Sequence, residues 1–266
     1  QDGRTLYPGT GFIDEMGSPN AICKTINLPL PPGTTDSGLH RVLDELILPV
    51  LNDFQPEIII NSAGQDNHYS DPLANMSITA QGYARLTEKL NAHIAVLEGG
   101  YSIEDALPYI NVGIILAMAG LSYDKVIEPD RDQISLTQKP EVGRYITNLV
   151  SEWRQRWQSR ESLRQSAMAQ AGDYWVRKRS VYYDTDGIQE SQSEKIRLCR
   201  QCQGYLTISS QAEGAGIGYQ SAFCVTLPAN CCPACRQKAK DTLISEKRLG
   251  NYQHYYLQDK QHDNYE

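Results

Sequence analysis

Several side chains that can bind metals or transfer protons lie in one short loop, at residues 58–73 (IIINSAGQDNHYSDPL). Asp66, His68 and Asp71 are residues that can bind a metal or transfer a proton. The spacing of Asp66-x-His68 is that of a pair of metal ligands. A second segment, Glu98-Gly99-Gly100-Tyr101, places a phenol beside two glycines after another apolar run. From these residues alone, Asp66 is either a metal ligand or an aspartate that caps a turn after a strand.

The surrounding pattern predicts the elements that position both loops. Apolar residues recur with a helical period over residues 39–51, and residues 58–60 and 94–97 are short apolar strands separated by a helix that Thr79 caps. A further apolar helix is predicted over residues 103–121. Strand, helix and strand in this order favour parallel pairing by a right-handed crossover, in a sheet covered by helices on both faces. The two loops then meet beyond the carboxyl ends of the strands, where ligands bind in such sheets.

The cysteines indicate a second, smaller module. Cys199-x-x-Cys202 and Cys232-x-x-Cys235 form two knuckles whose four thiolates would satisfy a tetrahedral structural zinc ion. Residues 205–209 and 222–227 are predicted to be the two strands of a zinc-ribbon hairpin, with glycines 214, 216 and 218 in the turn. Cys231 could replace Cys232 as a ligand, and buried or disulfide-linked cysteines are the alternative to a zinc site.

The whole chain is therefore expected to be α/β, with four segments. Residues 1–125 form the α/β region, residues 126–190 a linker and a basic amphipathic helix, residues 191–245 the zinc-ribbon-like module and residues 246–266 a polar tail. Residues 141–180 contain eight basic and four acidic side chains. This excess is interpreted as the solvated face of a helix or, alternatively, as a contact surface for an acidic partner.

The α/β motifs together resemble the histone deacetylase family, in the wider group that includes acetylpolyamine amidohydrolases and acetoin-utilisation proteins. The resemblance rests on QDGRTLYPGTG, INLPLPPGT, FQPEIIINSAGQD-x-H-x-x-DPL and LEGGY, in this order, over residues 1–121. It implies a zinc-dependent hydrolase with an arginase-like α/β fold that removes an acetyl group from an amine. Acetylated lysine, an acetylated polyamine or a small acetylated amine would be the substrate.

The resemblance also implies roles for individual residues. Asp66 would be a ligand of the catalytic zinc, Tyr101 would donate a hydrogen bond to the oxyanion, and Gly99 and Gly100 would line the substrate channel. The family's other two zinc ligands and its His-His pair are expected upstream of Gln1, so this chain by itself is expected to be inactive. The alternative function is a non-catalytic zinc-ribbon interaction module derived from a truncated deacetylase.

Composition narrows the remaining possibilities. The chain has 266 residues, 40% of them hydrophobic, with a formal net charge of −7. The acidic balance argues against nucleic acid as a partner, whereas a protein partner for the ribbon is expected. No segment reaches the roughly 20 apolar residues that a membrane span requires, and no basic-then-apolar signal precedes the first motif, so no membrane association and a cytoplasmic location are predicted.

Overall fold

The computed structural model describes residue 3 and residues 10–266. The motif QDGRTLYPGTG at residues 1–11 lies largely outside the described residues. The chain divides into two compact units. Unit 1 consists of Gln1–Met16 and Thr25–Ser159, and unit 2 consists of Gly17–Lys24 and Arg160–Glu266.

Unit 1 contains the predicted strand, helix and strand. In chain order its regular elements are α1 (Asp36–Val42), a π-helical turn (Leu43–Ile47), α2 (Leu48–Phe54), β1 (Ile60–Ala63), α3 (Ala80–Leu90), β2 (Ile94–Leu97), α4 (Leu107–Met118), a 3₁₀ turn (Arg131–Gln133) and α5 (Pro140–Gln158). The Thr79 hydroxyl accepts a hydrogen bond from the Gly82 N–H, so the predicted N-cap of α3 forms. The strands pair in parallel from Ile60 opposite Ile94 to Ala63 opposite Leu97, which confirms the α/β prediction.

The core of unit 1 lies between α3, α4 and one side of β1. Ile78, Tyr83, Ile110 and Ile114 are buried there with the smaller residues Ala63, Ala80, Ala106 and Val126. A Cβ added to Gly113 would lie 3.2 Å from both the Ala80 carbonyl oxygen and the Ala84 methyl group, so glycine permits α3 and α4 to approach closely. Helix α4 is shorter than predicted, because Pro108 stands in its first turn and Gly120 follows its end with a φ of 66°.

The two strands of unit 1 are not buried on both faces, contrary to the sequence prediction. Ile60 is 60% exposed, and Ile94, Val96 and Leu97 are also exposed. Among the described residues this sheet has two strands. The exposed side chains show that one face of the pair has no covering helix within the described part of unit 1. A continuous apolar run indicates that a strand can be buried on both faces, but the burial itself requires other elements to pack against those faces.

Unit 2 is built on a six-stranded sheet. Its elements are a 3₁₀ turn (Pro19–Ala21), α6 (Arg160–Ala171), β3 (Tyr174–Tyr183), β4 (Ile188–Arg197), β5 (Leu206–Gly214), β6 (Gly218–Leu227), α7 (Pro233–Leu249), β7 (His254–Asp259) and β8 (Asn264–Tyr265). The strands follow in the order β3-β4-β5-β6-β7-β8, all antiparallel except for the parallel pair β6 and β7. Helix α7 buries Ala239 and Leu243 in a core with Val225, Leu227 and Leu257 of the sheet.

The predicted ribbon hairpin is present as β5 and β6, but the sheet extends beyond it in both directions. Residues 174–183 belong to the segment that was predicted to be a linker and a basic helix, but they form strand β3. The β-branched and aromatic residues of this segment favour a strand, and Gly187, with a φ of 61°, ends the turn to β4. Residues 254–259 of the expected polar tail form β7. Among the described residues, no helix has the length and apolar content needed to cross a bilayer.

Candidate functional site

The two loops predicted to carry the chemistry meet at one edge of the parallel pair β1 and β2. Because Ala63 is opposite Leu97, the chain leaves both strands at the same end. The Gln65 N–H donates a hydrogen bond to the Gly99 carbonyl oxygen and so joins the loops directly after the strands end. A Cβ added to Gly100 would lie 2.9 Å from the Gln65 Cβ, so only glycine fits beside this contact.

Asp66 and Tyr101 converge on the backbone of Gly99. A Cβ on Gly99 would lie 3.3 Å from Asp66 Oδ2 and 3.4 Å from the Tyr101 hydroxyl oxygen. The Tyr101 side chain is 53% exposed and Asp66 is half-buried, so both polar groups remain accessible to solvent. The structure therefore brings four sequence-predicted residues together: Asp66, Gly99, Gly100 and Tyr101.

Asp71 positions the backbone of the tyrosine. One of its carboxylate oxygens accepts a hydrogen bond of 2.8 Å from the Tyr101 N–H, and the other accepts one of 2.9 Å from the Leu73 N–H. The Asp71 side chain is buried, which strengthens bonds between a carboxylate and backbone donors. Asp71 thus links the loop after β1 to the loop after β2.

The His68 side chain lies in the protein interior. Its side chain is fully buried, and the Ser70 N–H donates to Nδ1 over 3.2 Å. Because Nδ1 accepts this bond, the neutral ring has its proton on Nε2, which donates to Glu128 Oε1 over 2.9 Å. The Ser70 hydroxyl also lies 2.8 Å from that of Ser102, in the second loop. His68 therefore fixes the loop, and Asp66-x-His68 is not a chelating pair.

Glu128 is a supporting residue that sequence reasoning assigned to a linker. It is 2% exposed, and its Oε1 accepts hydrogen bonds from both His68 and the Ala80 N–H, the latter over 2.6 Å. Burial by itself would raise the pKa of Glu128, but the hydrogen bonds to its carboxylate and the interaction with His68 together outweigh burial, so the net pKa lies below its ordinary value. The only sequence signal was an acidic residue between Ile127 and Pro129, which does not indicate burial.

The four predicted cysteines of unit 2 also come together. The sulfur atoms of Cys199, Cys202, Cys232 and Cys235 all lie within 4.8 Å of one another. Within residue 3 and residues 10–266, this is the only group of three or more His, Cys, Asp or Glu side chains close enough to share a metal ion. Asp66 has no such companions in that part of the chain.

Backbone donors and one glycine shape the cysteine knuckles. The Gln201 N–H donates to the Cys199 sulfur over 3.4 Å and lowers the pKa of that thiol to about 7, and the Gly204 N–H donates to the Cys202 sulfur over 3.2 Å. Gly204 has a φ of 74°, and a Cβ there would clash with the Arg197 carbonyl oxygen. Donors directed at sulfur favour thiolate, the form that binds metals.

Part of this chain is similar to a known family and to known proteins. The histone deacetylase domain family matches residues 1–114. The "Probable deacetylase" of Archaeoglobus fulgidus is 49% identical over 134 residues, covering 47% of this chain and 37% of that protein. The acetoin utilization protein AcuC of Bacillus subtilis is 36% identical over 140 residues, covering 49% of this chain and 36% of that protein. The chain thus spans little more than a third of the length of these relatives.

Two solved structures are similar to part of this chain. The crystal structure of the HDA15 HD domain has a TM-score of 0.49 at 23% identity, covering 64% of this chain and 46% of that one. The acetylpolyamine aminohydrolase from Burkholderia pseudomallei has a TM-score of 0.42 at 29% identity, covering 45% of this chain and 36% of that one. The family match over residues 1–114 agrees with the resemblance that the sequence motifs carry.

Proposed function

We propose that unit 1 contributes to a zinc-dependent deacetylase, an amide hydrolase that removes an acetyl group from an amine. The convergence of Asp66 Oδ2 and the Tyr101 hydroxyl on Gly99 is the observation that supports this proposal most directly. It puts a potential metal ligand and a hydrogen-bond donor beside backbone that has no side chain. The candidate substrates are acetyl-lysine in a protein, an acetylated polyamine and a small acetylated amine, which share the same amide.

Each residue has a defined part in this proposal. Asp66 would provide one carboxylate ligand to zinc, and the Tyr101 hydroxyl would donate a hydrogen bond to the negative charge that develops on the oxygen of the amide carbonyl. Gly99 and Gly100 leave a narrow backbone surface along which an acyl chain can pass. Asp71 accepts a hydrogen bond from the Tyr101 N–H and thereby fixes the backbone position from which the phenol side chain extends. When bound, zinc would lower the pKa of its water to about 7 and polarise the amide carbonyl.

The metal must have ligands other than Asp66. A catalytic zinc ion has three protein ligands, and within the described residues Asp66 belongs to no group of three candidate ligands. We therefore propose that the chain alone does not hydrolyse amides and that unit 1 becomes active when the remaining ligands are provided.

A hybrid enzyme tests the deacetylase proposal. The 134 residues of the Archaeoglobus fulgidus protein that match this chain are replaced by the residues from this chain, and the hybrid is assayed with one substrate of each class. We expect metal-dependent hydrolysis, abolished by Asp66→Ala and reduced about 10²–10³-fold by Tyr101→Phe, the usual cost of losing one oxyanion donor. Tyr109→Phe is the matched control for Tyr101→Phe. A well-folded hybrid with full activity after Asp66→Ala would contradict the proposal.

The cysteine cluster supports a second function, a structural zinc site in an interaction module. Four protein thiolates leave no open position for water, so zinc at Cys199, Cys202, Cys232 and Cys235 would stabilise the fold rather than perform catalysis. Metal analysis of the purified chain should find about one zinc per chain. Cys232→Ser should remove it, whereas Cys231→Ser is the matched control that retains it. Equal zinc contents in the two variants would refute this ligand set.

A further inference from the structure

The outer strand β3 of unit 2 presents an open backbone edge. It is ten residues long, and among the described residues it pairs with β4 on one side and with no strand on the other. At the opposite edge of the sheet, β8 is only two residues long. A long edge strand is a template to which an extended peptide can add by backbone hydrogen bonds.

The middle of this edge is positively charged. Arg177, Lys178 and Arg179 are consecutive and exposed. Arg177 and Arg179 lie 2.5 Å and 3.4 Å from the two carboxylate oxygens of Glu194, and the charge of Arg179 also acts on Glu190, so two acids on this face balance the two guanidinium groups. Lys178 points to the other face of the sheet, where no acidic side chain lies within ion-pair distance of it in the described part of the chain. The edge therefore has an uncompensated positive charge.

A depression lies on the Lys178 face, directly beside the edge. Its volume is about 540 Å³; most of the area of its lining is apolar, and serine and glutamine side chains provide its uncharged polar groups. Lys178 is opposite Ser193, which is opposite Ser209, and Ser180 is opposite Ser191 in the next row. No carboxylate lines it. Hydrogen-bond donors beside a lysine suit the carboxylates of a bound peptide.

We propose that β3 binds an extended acidic peptide by strand addition. The peptide backbone would pair with the open edge, and alternate acidic side chains would lie beside Lys178 and the serine hydroxyls of the depression. A second copy of this chain is a poorer occupant, because antiparallel pairing of two β3 strands would oppose one Arg-Lys-Arg run to another, and like charges across strands are destabilising. This inference is independent of the proposed deacetylase activity.

Fluorescence anisotropy with defined peptides and the full chain tests the proposal. The probe is a fluorescein-labelled (Glu-Val)₄ peptide, compared with (Lys-Val)₄ and with (Glu-Val)₄ that is N-methylated on two adjacent central residues. N-methylation removes donors on both edges of the peptide but retains its charge. We expect saturable binding of the acidic peptide, no binding of the basic peptide and at least a tenfold loss after N-methylation.

Variants of the protein locate the binding surface. Lys178→Glu should weaken binding of (Glu-Val)₄ at least tenfold, whereas Lys240→Glu, an equal charge change at an exposed site on α7, should have a much smaller effect. Circular dichroism checks that both variants fold. Equal binding of the N-methylated peptide would show a purely electrostatic contact and overturn strand addition. Absence of binding, equal effects of the two variants, or self-association of the chain that blocks the peptide would each overturn the proposal.

Discussion

Glu128→Ala should destabilise the loop that carries Asp66. The alanine variant leaves two buried donors without an acceptor, Nε2 of His68 and the N–H of Ala80, because both donate to Glu128 Oε1. An unsatisfied buried donor costs about 1–3 kcal/mol, so the free energy of unfolding should fall by roughly 2–6 kcal/mol. Glu128→Gln retains an oxygen that can accept both hydrogen bonds. It should lower the free energy of unfolding by only about 1 kcal/mol, the stabilisation that the negative charge adds to these bonds.

Urea unfolding of the chain measures these costs, with Glu88→Ala as control. Glu88 is exposed and bonds the Tyr123 hydroxyl, so its replacement should cost less than about 1 kcal/mol. Hydrogen exchange should additionally accelerate at the amides of residues 65–71 in Glu128→Ala. Since the native pKa of Glu128 is lowered, its stabilisation is present above its unfolded pKa near 4.5 and is lost as the pH falls through the native value. A cost of Glu128→Ala no larger than that of Glu88→Ala would refute the reasoning.

Two further predictions concern unit 1. Burial, with Lys89 and Arg85 nearby, lowers the pKa of His40 from 6.5 to about 4. The neutral imidazole therefore contributes fully to stability above pH 6.5. As the pH falls towards 4, the free energy of unfolding should decrease by roughly 1–3 kcal/mol. Urea titrations at pH 7 and 4.5 should find a smaller pH dependence in His40→Leu but an unchanged one in the exposed control His254→Gln. Gly100→Ala should cost about 1–3 kcal/mol by overpacking against Gln65, whereas Gly143→Ala, in open space on α5, should stabilise the chain slightly; similar effects of the two would contradict the close contact.

Local pattern was sufficient to predict some elements. The Thr79 cap, the helix that follows it and the parallel strands were each encoded in a few neighbouring residues. The cysteine spacing likewise indicated which sulfur atoms would meet, because two C-x-x-C knuckles have a strong geometric preference. Cys231, the alternative ligand, lies outside the group of four. The sequence did not distinguish Cys231 from the adjacent Cys232.

Properties that depend on distant partners were not predictable. The apolar runs at β1 and β2 indicated burial, but exposure depends on whether another element covers them. Strand β3 was obscured by its three consecutive basic residues, which resembled the solvated face of a helix. Glu128 is 60 residues from His68 in the chain, and single-sequence periodicity contains no information on a pair at that separation.

The contacts of Asp71 explain why an exposed tyrosine can still be a defined part of a site. Tyr101 is 53% exposed, whereas its backbone N–H donates to a buried carboxylate that also accepts from the Leu73 N–H. The position of the phenol is therefore set mainly through the backbone and the Gly99 contact. It follows that Asp71→Asn, which keeps one acceptor oxygen but loses the charge, should affect the placement of Tyr101 more than the overall stability of unit 1.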